Sequence, residues 1–222
     1  VNRFYDQALV IQWGIAIAML ALLGIVFNYW YDLLQKSIFA VGLLFLLAPV
    51  GQFLIAPGMK LLGVYRYVSP MLLIYAPSKK KYDLHNGTSF DYLFLYQTGK
   101  SKGYWQNRLL LYYIRGLLAI IDQIHQGNIP EKIVIRGSSY FFSERTAQKF
   151  GFTIRNTGLF ERINIILNYV DLVWMYSLAK SQLSFPRIGN VKTASTTGSI
   201  LMEHASHLRK FEKILKQKVL EE

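Results

Sequence analysis

The chain has 222 residues, is 52% hydrophobic and 15% aromatic, and carries a formal net charge of +12 with no cysteine. Disulfides, thiolate chemistry and cysteine-held metals are thereby excluded. Arg3 and Lys36 against Asp6 and Asp32 leave residues 1–59 neutral, so the whole excess of positive charge belongs to the remainder. Such a surface attracts anionic lipid, nucleic acid or an acidic partner, and charge alone does not choose among them.

Ala8 to Tyr31 and Ser37 to Met59 contain no charged residue. A helix needs about 20 mostly apolar residues to cross a hydrocarbon core, so each run is long enough. Gln12, Asn28 and Gln52 are the strongly polar side chains within the runs. Trp13 lies near the start of the first run, and Tyr29, Trp30 and Tyr31 close it, where amphipathic rings settle at headgroup depth. The expectation is a transmembrane hairpin over 1–60, with helices at about 8–31 and 37–59. Pro49 should kink the second helix. Gly14, Ala18, Ala21 and Gly42 are small enough to admit neighbouring helices. Against a cleaved leader, the first apolar run far exceeds the usual ~7–15 residues.

Lys36 in the connection is offset by Asp32, whereas Lys60, Arg66, Lys79, Lys80 and Lys81 follow the second run. The positive-inside bias then places both termini in the cytoplasm of a two-pass cell (inner) membrane protein. Residues 61–81 read as a juxtamembrane linker, 82–198 as a basic α/β or α+β cytoplasmic domain, and 199–222 as a charged, amphipathic C-terminal helix. Within the linker, Met71 to Tyr75 reads as a buried strand or a segment lying at the interface. Lys79, Lys80, Lys81 and Arg66 are candidate contacts for anionic lipid or a partner; a solvated turn explains the lysines equally well.

Asn86-Gly87 signals a turn, and the aromatic run Ser89 to Tyr96 predicts a strand after it. Gly99-Lys100-Ser101 matches the end of a phosphate-binding loop, but Phe94 stands where the earlier glycine is required, so no nucleotide site is expected. Tyr104 to Gln126 is the clearest helix of the domain. Its polar stripe is Arg108, Tyr112, Arg115, Ala119, Asp122 and Gln126, and Gly127 and Pro130 end it. Lys132 to Arg136 predicts a strand, Ser143 a cap for a helix from Glu144 to Phe150, and Phe152 to Arg155 another strand. Leu159 to Lys180 reads as one long helix, buried along a polar seam or touching the membrane. Pro186 to Gly198, with Gly189 and Asn190, reads as loop. Ile200 to Glu222 forms the last helix, whose Leu201, Leu208 and Leu215 suit helix pairing or packing on the parent domain.

Candidate chemistry is thin. His85 with Asp91 offers an acid–base pair, and Ser138 and Ser139 follow a strand, though without the Gly-x-Ser-x-Gly elbow. His204 and His207 stand three apart with no third ligand at a recognisable spacing, so no metal is expected. No cofactor is expected either, and no nucleic-acid-binding signature accompanies the charge.

Helix 104–126, strand 132–136, and the stretch Glu144 to Phe152 ending Lys149-Phe150-Gly151-Phe152 resemble the C-terminal half of the GNAT acyltransferases over about fifty residues. That family often closes its last helix with a Lys-Leu-Gly-Phe-like run before a strand. The resemblance implies an α/β fold and acyl transfer from a CoA-linked donor. The chain departs from the family in two places. The acyl-CoA pyrophosphate loop is replaced by Gly99 to Gly103, and a long apolar helix stands where closing strands belong. Three functions follow as expectations. The first is a membrane-anchored accessory or scaffold subunit, non-catalytic, held by other membrane subunits, itself or lipid. The second is a membrane-bound GNAT-like transferase acting on a CoA-linked or lipid substrate. The third is an oligomerising membrane effector.

Overall fold

The computed structural model describes residues 3–97, 101, 103–139, 144–187 and 192–221. The side chains of Ser138, Ser139 and Phe160 lie outside that description, as do Ser143, Gly189, Asn190 and most of the Gly99–Gly103 loop.

Two long apolar helices, α1 (Leu9–Lys36) and α2 (Leu44–Leu61), form an antiparallel hairpin joined by a 3-10 segment, Ile38–Leu43. Both arms are long and apolar enough to cross a membrane. Only 11% of each apolar window is buried, unlike the core helix of a soluble domain, which is mostly covered. The arms meet where α2 is thinnest: a side chain at Gly51 or Gly58 would reach Leu23 or Leu20 at 3.8 and 3.7 Å. Gly14, Ala18, Ala21 and Gly42 face outward, and nothing lies within 4 Å of the two glycines. Two of the hairpin's polar side chains bond locally. Gln12 Nε2 donates to the carbonyls of Tyr5 and Gln7 at 3.1 and 2.7 Å, and Trp30 Nε1 donates to that of Ala40 at 2.8 Å. α2 runs on through Pro49 and Pro57.

A mixed α/β domain follows. Its six-stranded sheet has the order β1 (Tyr65–Ser69), β2 (Leu72–Tyr75), β3 (Lys81–Asn86), β4 (Val134–Ser139), β6 (Lys192–Thr197), β5 (Thr153–Asn156). β3 and β4 are parallel and the other neighbours antiparallel. Residues 61–81 are therefore more than a linker, since they supply the two strands at one side of the sheet. The crossover between β3 and β4 contains α3 (Ser89–Leu95) and α4 (Tyr104–His125).

α4 is the spine of the core. Trp105, Leu109, Ile114, Ile120 and Ile121 are almost fully buried, and a side chain at Gly116 would stand 2.6 Å from Leu72 Cδ2, so glycine lets the helix settle onto β2. Its polar stripe is partly covered. α9 (Ala205–Glu221) lies along it, pairing Glu212 with Arg115 at 3.0 Å and Arg209 with Asp122 at 3.3 Å, and burying Leu208 and Leu215. The leucine repeat is thus a strip packed on the parent domain.

Four sequence expectations are corrected here. Ser89 to Tyr96 forms a helix, α3, because Thr88 and Asp91 close a capping box: Thr88 Oγ accepts from Asp91 N, and Asp91 Oδ2 accepts from Thr88 N. The long helix at 159–180 is two, α6 (Leu159–Leu167) and α7 (Tyr169–Lys180), divided at Asn168, whose Nδ2 donates back to the carbonyl of Asn164 at 2.8 Å. Lys192 to Thr197 is strand rather than loop. It pairs with β4 on one side and β5 on the other, and α6 and α7 precede it in the chain. The last helix starts earlier, as α8 (Gly198–Glu203) under the Thr197 cap, and breaks at His204.

Candidate functional site

The register of the sheet sets Ile74, Leu84, Gly137, Ala194 and Ile154 side by side on one face. Adjacent residues across strands share a face, so the row rises or falls with side-chain size. Gly137 and Ala194 make it low in the middle. Gly137 has no room for more, because a Cβ there would stand 3.0 Å from the carbonyl oxygen of Leu84. β3 and β4 are also paired only from Lys81–Val134 to Leu84–Gly137, although both strands continue two residues further. The parallel pair therefore parts at its C-terminal end, the place where open α/β sheets bind ligands.

A cavity of about 820 Å³ occupies this hollow. Its floor is Leu84, Gly137, Ala194 and Ile154; α4 contributes Tyr113 and Leu117, and α5 (Glu144–Lys149) contributes Ala147. Phe150 and Phe152, the aromatic pair of the Lys-Phe-Gly-Phe run, close one side, and Tyr176 of α7 and Phe185 another. Polar groups gather at Asn86, Glu144, Lys180, Arg187 and Lys192. Lys192 Nζ donates to Asn156 Oδ1 at 2.7 Å. Apolar walls with a few convergent polar groups, at this size, suit a small-molecule or cofactor-sized ligand. Three cations against one carboxylate favour an anionic one.

The residues singled out from the sequence lie elsewhere. Asp91 is fully buried and serves structure: its Oδ2 accepts from Tyr67 Oη at 2.6 Å, from Thr88 N at 2.8 Å and from Thr88 Oγ at 3.0 Å. Burial and the Asp91 charge push the Tyr67 hydroxyl far above its ordinary range, so it stays a donor. His85 sits on the opposite face of β3 from Leu84, edge-on to Tyr75 at 5.7 Å. The charges acting on it are Asp83, Arg136 and Lys81, not Asp91, and burial lowers its pKa. The histidine–aspartate pair is thus not assembled.

Lys79 and Lys80 are exposed in the turn before β3. Lys81 lies in the strand and pairs with Asp83 at 2.6 Å. Burial opposes ionisation of Asp83, but hydrogen bonds from Lys81 and Arg136 hold its carboxyl below the usual range. Arg66 donates to Gln123 and lies over the Tyr82 ring at 5.8 Å. Ser138 and Ser139 pair with Thr193 and Lys192 through their backbones. His204 and His207 stack at 6.0 Å, and no cluster of three metal-capable side chains forms among the described residues.

What the sequence reading missed is the cation set Lys180, Arg187 and Lys192, together with Glu144. The local signal was small residues, Gly137 and Ala194, inside strands. No protein-family model, no curated protein and no solved structure matches the chain.

Proposed function

We propose that this is a two-pass membrane protein with both termini in the cytoplasm, and that its basic domain is a transferase acting on an apolar-tailed anionic substrate, CoA-linked or lipid. The observation that carries the reading is the cavity at the parting of β3 and β4, ringed by Lys180, Arg187 and Lys192. The GNAT-like run supports it, because its Phe150 and Phe152 line that cavity, and so do the closing strands β5 and β6. Glu144 and Tyr176 are among the lining groups able to relay a proton at a bound substrate.

Insertion of the hairpin is supported by its exposure. Val10, Ile25, Ile38 and Phe39 are 67–88% exposed, an apolar surface far larger than a water-soluble monomer presents. Sidedness rests on the basic residues that follow α2.

A scaffold role is the second reading, favoured by the open space at Gly14 and Gly42 on the outer face of the hairpin, where another helix can approach. Purification in mild detergent followed by native mass spectrometry separates the two. A monodisperse protein that retains acyl-CoA or lipid, and loses it in Ala194→Phe, supports the transferase. A stable complex with other polypeptides and an empty cavity supports the scaffold. A large homo-oligomer that leaks vesicles would point to an effector.

A further inference from the structure

We infer that the α6–α7 elbow is a membrane-embedded wedge, seated among lipid acyl chains beside α2; this rests on insertion of the hairpin. The argument begins with depth. At about 2.0 Å per residue for the 3-10 segment and about 1.5 Å for α2, Gln52 stands roughly 25 Å along the hairpin from Ile38. A hydrocarbon core of about 30 Å starting at Ile38 extends to roughly Ala56, a full turn past Gln52. Starting it at the Trp30–Ala40 hydrogen bond, or tilting the hairpin, carries the boundary further still.

Gln52 Nε2 donates to Asn168 Oδ1, at the junction of α6 and α7. The elbow is therefore held to α2 inside the acyl-chain zone. The two amides satisfy each other and the Asn164 carbonyl, which hydrocarbon requires of buried polar groups.

The surface around Asn168 fits that solvent. Leu159, Ile163, Ile166, Leu167, Val170 and Trp174 are 39–71% exposed. Leu159, Ile163, Ile166 and Leu167 share one face of α6, and Val170 and Trp174 stand one turn apart on α7. Both helices pack against α2, and the half-exposed Trp174 is a side chain suited to the headgroup boundary. The side of the elbow that carries Asp171, Met175 and Ala179 is buried in the domain. α7 also supplies Tyr176 and Lys180 to the cavity, so one wall of the cavity is anchored in the bilayer.

The chain has no cysteine, which permits single spin labels in the 222-residue chain. Ile166→Cys and Val170→Cys are labelled in phosphatidylcholine–phosphatidylglycerol nanodiscs, with Leu22→Cys in α1 and Lys213→Cys in α9 as references. Power saturation compares oxygen with a water-soluble nickel chelate. The elbow labels should match Leu22→Cys, with oxygen favoured several-fold. Elbow labels that match Lys213→Cys while Leu22→Cys reads lipid overturn the wedge alone. If Leu22→Cys also reads water, hairpin insertion fails and the wedge falls with it. Brominated acyl chains give a label-free repeat: Trp174→Phe should lose part of the tryptophan quenching, and unchanged quenching counts against the wedge.

Discussion

Replacing Asp91 with alanine should damage the fold rather than a catalytic step. The carboxylate is completely buried and accepts from Tyr67 Oη, Thr88 N and Thr88 Oγ, all through Oδ2. Alanine strands those donors, and a buried polar group left without a partner costs about 1–3 kcal/mol. The Thr88 hydroxyl can rotate, so two stranded groups, the phenol and the backbone N–H, set the scale at roughly 2–6 kcal/mol. Loss of the reciprocal cap on α3 lies within that range rather than adding to it, because it involves the same N–H. For a chain of this size each kcal/mol shifts the melting temperature by about 2–4 °C, so Asp91→Ala should melt at least ~4 °C lower. Asp91→Asn keeps one acceptor oxygen and should fall between. Tyr67→Phe takes one of several donors from the buried carboxylate and should cost about 1.5–3 kcal/mol. The assay is thermal unfolding in mild detergent followed by near-ultraviolet dichroism. An Asp91→Ala protein that melts with the parent would refute the reasoning and return Asp91 to the list of catalytic candidates.

Further outcomes follow from the same structure. Leu208→Ala should destabilise by about 3 kcal/mol through the cavity left between α9 and α4, whereas Leu220→Ala, 76% exposed, should lie within about 0.5 kcal/mol of the parent in the same melt. Ala194→Phe should empty the cavity of retained ligand, measured by native mass spectrometry, while leaving the melting temperature within a few degrees. Gln52→Leu should free the elbow from α2 and raise amide exchange across Leu159–Lys180.

How much of this was legible in the sequence depended on how local the signal was. The hairpin is written as two charge-free runs, and α4 as a periodic stripe ended by Gly127, whose φ of +74° suits glycine. α3 was misread because its aromatic residues favour strands, yet Thr88 with Asp91 three positions on was a capping box in plain view. β3 is not marked by any apolar run, since Lys81, Asp83 and His85 are polar. The alternation with buried Tyr82 and Leu84 was the strand signal. β6 has three threonines, which favour strands, but no large apolar residue to mark it, and it is held by β4 on one side and β5 on the other. The cavity was not legible at all. It exists because strands far apart in sequence bring Leu84, Gly137 and Ala194 into one row, and no window of local sequence contains that register.

The central claim is that the first sixty residues reside in hydrocarbon. Membranes from cells expressing the full chain can be washed in alkaline carbonate and sedimented. The account predicts that the protein stays in the pellet and leaves it only with detergent. Quantitative release into the supernatant as a dispersed species would contradict it.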